Sequence, residues 1–212
     1  MKTKLAVLTG SLLVGAAWAA EATLFQEDFD TSEVGKVPAG MLVLDGGFAV
    51  REEAGNKFLE LPGDPLDSFG VLIGPALKDG ATLTARVFGT AKGRRAPTFG
   101  IGLGGASGHR LVISPGKKEI ELLKLDADLA SAPFEWPSGK WLHLKLQIRP
   151  AANGGASIEG KAWTEGSPEP LAWTLSFDDP QAPRPGRPGL FGSPFAGTPI
   201  RYDDIVLQPL AP

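Results

Sequence analysis

Trp141 opens a strand-like run on its polar side, and Trp163 shares a strand face with Glu159 and Lys161. An indole presents a flat apolar surface to the C–H face of a sugar ring, while neighbouring carboxylates and amines hold the hydroxyls. These four residues are therefore the chain's best candidate ligand set. The alternative is a pair of indoles that cover the rim of a core. Trp136 falls in a loop, and Trp173 alternates with Leu175 and Phe177 as a core residue would.

Bond-breaking chemistry has less to work with. Hydrolysis of a glycosidic bond needs two carboxylates across a groove. Glu119 and Glu121 are in step on one strand, where they also read as its solvent side. Elimination needs a His or Tyr base beside a cation, and His109, His143, Arg110 and Tyr202 are the material for it. Cysteine is absent, which removes thiol nucleophiles, Cys-ligated zinc and disulfides. Gly100, Gly102 and Gly105 match G-x-G-x-x-G, but no helix follows, so they read as strand and loop residues and not as a dinucleotide site. The sequence contains no G-x-S-x-G, no H-E-x-x-H and no P-loop.

The elements that must position these residues are strands. From Lys140 to Arg149, Leu142, Leu144, Leu146 and Ile148 alternate with Trp141, His143, Lys145, Gln147 and Arg149, which predicts one face in a core and one in water. Leu171, Trp173, Leu175 and Phe177 repeat the pattern. Strands are also expected over Thr23–Phe29, Lys57–Leu61, Phe69–Ile73, Ala81–Phe88 and Ser157–Thr164, with a meander over Thr98–Leu103, His109–Ser114 and Glu119–Leu125. Asp45-Gly46 between two apolar runs reads as a hairpin turn. Ser114-Pro115-Gly116-Lys117 reads as a turn in which Gly supplies a positive φ. Only Asp126–Ala132 leaves room for a turn or two of helix. The closing stretch, Gly186 to Leu207, holds two extended pieces that earlier strands must receive, sealing an edge beside the chain's beginning.

About a dozen short strands, each with one apolar face, predict an all-β fold of two antiparallel sheets packed as a sandwich. The 212 residues suffice for one such domain with a sizeable core. Residues 1–19 stand apart: Lys2 and Lys4 precede an apolar run from Leu5 to Trp18, and Ala17-Trp18-Ala19 supplies a small-x-small cleavage pattern. They read as a Sec-type secretory signal of bacterial character, leaving residues 20–212 as a single periplasmic or secreted domain without a membrane span. Its removal leaves 19 basic against 24 acidic residues, a formal charge of −5 that argues against nucleic acid and anionic membrane as partners.

A first strand ending in TLFQEDF, the GKW motif with its alternating leucines, KAWTEGSPEPLAW, and the closing GLFG and YDDIVL follow one another in an order that resembles the concanavalin A-like jelly roll. More narrowly, the chain is similar to secreted laminin G-like domains and to the bacterial 3-keto-disaccharide hydrolases, over most of residues 24–207. The resemblance implies that first and last strands lie together and that acids from each hold a structural calcium ion. The matching positions are Glu27 and Asp28, and Asp203 and Asp204. Calcium favours several oxygen ligands, so acids converging from two chain ends suit it; the alternative is that Asp203 or Asp204 caps a turn or faces solvent. Jelly-roll glucanases carry an alternating acid motif, and Glu119-Ile120-Glu121-Leu122-Leu123-Lys124 lacks its third acid. The expected function is carbohydrate binding without catalysis. A saccharide-active enzyme of the keto-disaccharide hydrolase type and a structural protein-interaction module of the cell envelope are the alternatives.

Overall fold

The computed structural model describes residues 23–63, 67–125 and 127–210. The expected signal, residues 1–19, lies outside them. Fifteen strands follow in chain order: β1 (Phe25–Glu27), β2 (Leu42–Asp45), β3 (Ala49–Glu53), β4 (Asn56–Leu61), β5 (Phe69–Leu72), β6 (Ala81–Gly89), β7 (Thr98–Leu103), β8 (His109–Ser114), β9 (Glu119–Lys124), β10 (Ala127–Pro133), β11 (Leu142–Pro150), β12 (Ala156–Thr164), β13 (Leu175–Asp179), β14 (Gly189–Ser193) and β15 (Ile200–Pro209). They form an eight-stranded sheet in the order β13-β12-β11-β6-β15-β4-β3, with β1 also on β15, and a seven-stranded sheet in the order β10-β9-β8-β7-β14-β5-β2. All pairings are antiparallel, and the described residues contain no helix. The chain has a concanavalin A-like jelly-roll fold.

Side-chain alternation builds the sandwich. Leu142, Leu144, Leu146 and Ile148 of β11 are buried beside Ala81, Leu83, Ala85 and Val87 of β6, while His143, Lys145 and Gln147 turn outward. Ile101, Leu111, Ile113, Ile120 and Leu122 face them from the other sheet in one continuous core. The layers meet closely at Gly160, where an added Cβ would lie 2.5 Å from Leu111. That approach admits no side chain.

The last two strands lie in the interior of the sheets and do not seal an edge. β14 runs between β7 and β5, and β15 has β6 on one flank and first β4, then β1, on the other. The change of partner falls at a bulge between Asp203 and Val206, where Asp204 takes a φ of 44°. The chain's beginning does lie beside its end, as expected, through Phe25 opposite Leu207.

Four local expectations give way to tertiary packing. Asp45-Gly46 is a corner and not a hairpin, because β2 pairs with β5 in one sheet and β3 with β4 in the other. Gly46, at φ 100°, is pressed against Phe69, with space for no Cβ. Residues 127–133 pair with β9 as an edge strand, since Leu125 takes a φ of 54° and returns the chain before a helical turn can form. At Ser114–Lys117, where Lys117 N donates to Ser114 O, the positive φ falls on Lys118 and not on Gly116. Leu171 is fully exposed and Trp173 half-buried, so the alternation ends there and β13 begins at Leu175.

A polar cluster joins the sheets at one end. Buried His109 of β8 donates from Nε2 to Asp179 Oδ2 of β13 at 2.8 Å, and Lys124 Nζ lies 2.6 Å from the same oxygen. Burial, with the Lys124 charge, pushes the imidazole below its ordinary value against the pull of Asp179. Burial also works to raise the Asp179 carboxyl, but Lys124, the Gln181 amide and His109 overcome it and hold the group at about 2. An imidazole that resists protonation when folded costs stability once the unfolded chain takes up its proton, below about pH 6.5. The Asp179 contribution is complete above the unfolded value of 3.8 and is lost as pH falls toward 2. Denaturant titrations at pH 7 and pH 5 are expected to show the weaker fold at pH 5, with a slope bounded by about 1.4 kcal/mol per pH unit per proton. His109→Gln should flatten that dependence, the remainder belonging to His143, whose imidazole is also lowered by burial and by Arg86. Equal slopes in the two proteins would refute the assignment.

Candidate functional site

The strand register places the sequence-derived candidates on the outer face of the eight-stranded sheet. One row across it reads Trp163, His143, Arg86, Asp203, and the next reads Lys161, Lys145, Thr84. Trp163 and His143 stack with centroids 4.9 Å apart and planes 8° from parallel. Lys161 is buried beneath the 165–174 loop, donating to Pro170 O at 2.6 Å, pairing with Glu169 and lying over the Trp173 ring. Trp173 is thus held by a cation over the outer face, and not by the core. Burial works against ionisation of Glu169, but Lys145 and Lys161 outweigh it and hold the carboxyl below its ordinary value. Glu159 accepts from Gln147, which in turn accepts from Thr82. Trp141 stands apart from Trp163, packed with Phe58 and Phe88 and covered by the Arg86 guanidinium at 4.8 Å. The four ligand candidates share a sheet face, but each is engaged by protein groups.

The four acids expected to hold calcium meet a different cation. The bulge in β15 lets consecutive residues reach the same side, so Arg86 forms ion pairs with both Asp203 (2.9 Å) and Asp204 (2.6 Å), and with Glu165 as well. Asp203 is buried and also accepts from Asn56. Burial raises its carboxyl, the hydrogen bonds and Arg86 opposing. Glu27 accepts from the amide of Phe29, a buried residue held at φ 60°, and Asp28 accepts from the amide of Asp30. The side chains that a calcium ion would need are turned to an arginine and to their own backbone. No group of three or more His, Asp or Glu side chains gathers as a metal site among the described residues. Calcium or a chelator is expected to leave the melting temperature unchanged; a calcium-dependent rise would restore the cage.

The outer face of the seven-stranded sheet carries a depression that the sequence reading passed over. One row across it reads Leu42, Leu72, Gly189, Gly102, Arg110, Leu123 and another Gly70, Phe191, Gly100, Val112, Glu121. Gly70, Gly102 and Gly189 floor it: an added Cβ at each would come within 2.9 Å of the Phe191 ring, so the ring lies flat on the sheet. Arg110 lies over that ring at 3.8 Å and donates to Ala106 O at 2.6 Å. Ser68, Thr98, Ser193, Val112, Leu123 and Leu125 complete the walls of a depression of about 260 Å³. Leu125 is half exposed despite its strained left-handed φ. Glu121 is buried beside this floor, accepting from Ser114 and pairing with Lys117. The available signal was the Gly-x-Gly spacing at residues 100–102 and Gly189 two residues before Phe191, which clear the outer face of two adjacent strands around that one ring.

The remaining groups considered for chemistry are placed elsewhere. Tyr202 is fully buried, donates to Phe191 O at 2.7 Å and has its phenol pushed far up by burial. His109 belongs to the inter-sheet cluster, and Trp136 packs edge-on against Phe99.

No protein-family model matches the chain, and no curated protein is similar to it in sequence. Solved structures are similar in fold. The carbohydrate-binding module CBM66 from Bacillus subtilis superimposes with a TM-score of 0.55 at 12% identity, over 80% of this chain and 95% of that one. The marine PL-14 alginate lyase from Aplysia kurodai gives 0.60 at 10% identity, over 89% and 100%. The metal-free Emp46p carbohydrate recognition domain gives 0.55 at 14%, over 80% and 88%, and that domain also exists in a potassium-bound form. At such identities the likeness defines the jelly-roll fold alone. Binding modules, lectin domains and enzymes all share it.

Proposed function

We propose that the protein is an exported, non-catalytic carbohydrate-recognition domain that holds its ligand in the glycine-floored groove of the seven-stranded sheet. The observation that carries the reading is a glycine-floored depression in which Arg110 lies over the Phe191 ring at 3.8 Å, between hydroxyls and apolar walls. A sugar offers C–H faces to Val112, Leu123 and Leu125 and oxygens to the guanidinium, Ser68, Thr98 and Ser193. Leu125 supports this, because the turn it makes at φ 54° would suit a glycine, and the leucine side chain there is half exposed on the groove wall. Export rests on the Lys2, Lys4 and Ala17-Trp18-Ala19 pattern. Absence of turnover is favoured by the placement of three of the bond-breaking candidates: His109 and Tyr202 are interior, and Glu121 is held by Ser114 and Lys117.

A panel of polysaccharides and disaccharides, scored for retention and for product release, is expected to show retention alone. Arg110→Ala and Phe191→Ala should weaken it about tenfold or more, with folding verified by circular dichroism. Loss of binding in Trp163→Ala while the groove variants still bind would move the site to the opposite sheet. Product release would convert the reading to an enzyme. Leu125→Gly is expected to raise stability by about 0.5–1 kcal/mol, as left-handed strain is relieved, while weakening retention. Paired melting and binding measurements check it, and an unchanged or lower melting temperature would remove the strain argument.

A further inference from the structure

At the end of the sandwich where β7 begins, two turns are tied together. Lys92 and Arg95 exchange backbone hydrogen bonds, Lys92 N to Arg95 O at 2.8 Å and Arg95 N to Lys92 O at 3.2 Å. They close a tight hairpin over Gly93, at a φ of 64°, and Arg94. The turn before β11 is fixed to its base: Gly139 N donates to Gly89 O at 2.9 Å, Ala91 N to Ser138 Oγ at 2.8 Å, and Lys140 N closes that turn on Pro137 O. The pair displays Lys92, Arg94, Arg95 and Lys140, all exposed. None of these four side chains makes an ion pair or hydrogen bond among the described residues. The other lysines and arginines of residues 23–210 are engaged, save Arg51 and Lys78 on other elements. Two acids at the same end are also engaged, Glu135 with Lys118 and Asp67 with the Ser68 amide.

We infer that Lys92, Arg94, Arg95 and Lys140 dock the domain end-on to an anionic lipid surface, reversibly and without insertion. The inference is independent of the saccharide reading. Cations that no neighbour holds suit a diffuse surface potential, to which each contributes alike; a single bound anion needs donors fixed so as to converge on it. Neither turn exposes a large apolar side chain, so the contact stops at the headgroups. The formal charge of −5, from 19 basic against 24 acidic residues beyond residue 19, does not prevent this. At about 0.1 M salt, charges more than about 10 Å away are screened, and the local cluster decides. Thr98 follows the hairpin directly and lines the groove, so the contact brings that wall of the groove close to the surface.

The test sediments the mature protein, residues 20–212, with vesicles of neutral phosphatidylcholine and with vesicles in which about one third of the lipid is phosphatidylglycerol. Partition is expected onto the anionic vesicles alone, and raising salt from about 50 to about 300 mM should weaken it about tenfold or more. Lys92→Gln, Arg94→Gln, Arg95→Gln and Lys140→Gln should each weaken it about fivefold, and together bring it to the level of neutral vesicles with the melting temperature unchanged. The double variant Arg51→Gln/Lys78→Gln removes charge outside the turns and should partition as the wild type does. Absence of partition, or equal partition onto neutral and anionic vesicles, overturns the inference. Undiminished partition of the fourfold variant does the same, as does a loss in the double variant equal to that of two cluster substitutions. Polyphosphate or duplex DNA in solution that binds more tightly than the vesicles at equal phosphate overturns the lipid assignment in favour of a soluble polyanion. The saccharide site stands or falls separately, on retention by polysaccharides.

Discussion

A chain ending at Arg187 is expected to lose cooperative folding altogether. The missing segment carries β14 and β15, an interior strand of each sheet. Without β14, β7 and β5 face each other across an empty lane; without β15, β6 loses its partner on one side and β4 and β1 lose theirs. The deletion also removes the buried Leu190, Phe191, Ile200, Tyr202, Ile205 and Leu207. At about 1.5–3 kcal/mol per buried side chain, that loss reaches about 10 kcal/mol, comparable to the whole stability of a domain. Far-UV circular dichroism and a thermal scan of the truncated chain check the result, and a cooperative transition near that of the full chain would refute the interior placement. A finer probe is Tyr202→Phe, which deletes the hydroxyl that β15 sends to the Phe191 carbonyl of β14. It is expected to cost about 1–2 kcal/mol, since a buried carbonyl loses its donor.

Arg86→Met is expected to destabilise the fold by about 3–5 kcal/mol at pH 8, the usual cost of leaving a buried charge without its partner. Asp203 is 2% exposed at its side chain and would keep Asn56 and the Asp204 amide as donors, with no cation beside it. Burial already raises its carboxyl in the intact protein, and loss of Arg86 raises it further. A carboxyl whose folded pKa lies above its unfolded one penalises the fold at high pH, and the penalty is relieved as pH falls through the folded value. The variant should therefore recover part of its stability between pH 8 and pH 5, whereas the intact protein weakens over the acid side of that range through its histidines. Asp203→Asn in the Arg86→Met background should cancel the recovery. Denaturant titrations of the three proteins at both pH values decide it, and an Arg86→Met stability that falls on acidification as the wild type does would refute the linkage.

Strands with strict alternation, such as Leu142 to Ile148, were legible because a period of two places every apolar residue on one face, whatever the neighbours are. The meander over residues 98–125 was equally readable, its turns being marked by Gly and Pro. Asp45-Gly46 was misleading because turn residues specify a change of direction and not the sheet in which the next strand pairs. Trp173 shows the limit of alternation at a strand's end: the pattern continued in sequence after the backbone had left the ladder, and Lys161 took the indole. The acids of YDDIVL were visible as a pair, but their partner was not, since Arg86 lies 117 residues from Asp203 in the chain.

Composition and alternation alone determined an all-β sandwich without cross-links, because each strand has one apolar face and no cysteine is present to help. The order of strands within the sheets, the interior position of the last two, and the groove itself were decided by tertiary structure. A groove of this kind is built from residues that are missing side chains, Gly70, Gly102 and Gly189, brought together from three strands under one phenylalanine. In sequence a glycine reads as a turn or a weakness; only when strands distant along the chain are laid side by side does a row of them become a floor on which Phe191 and Arg110 can lie.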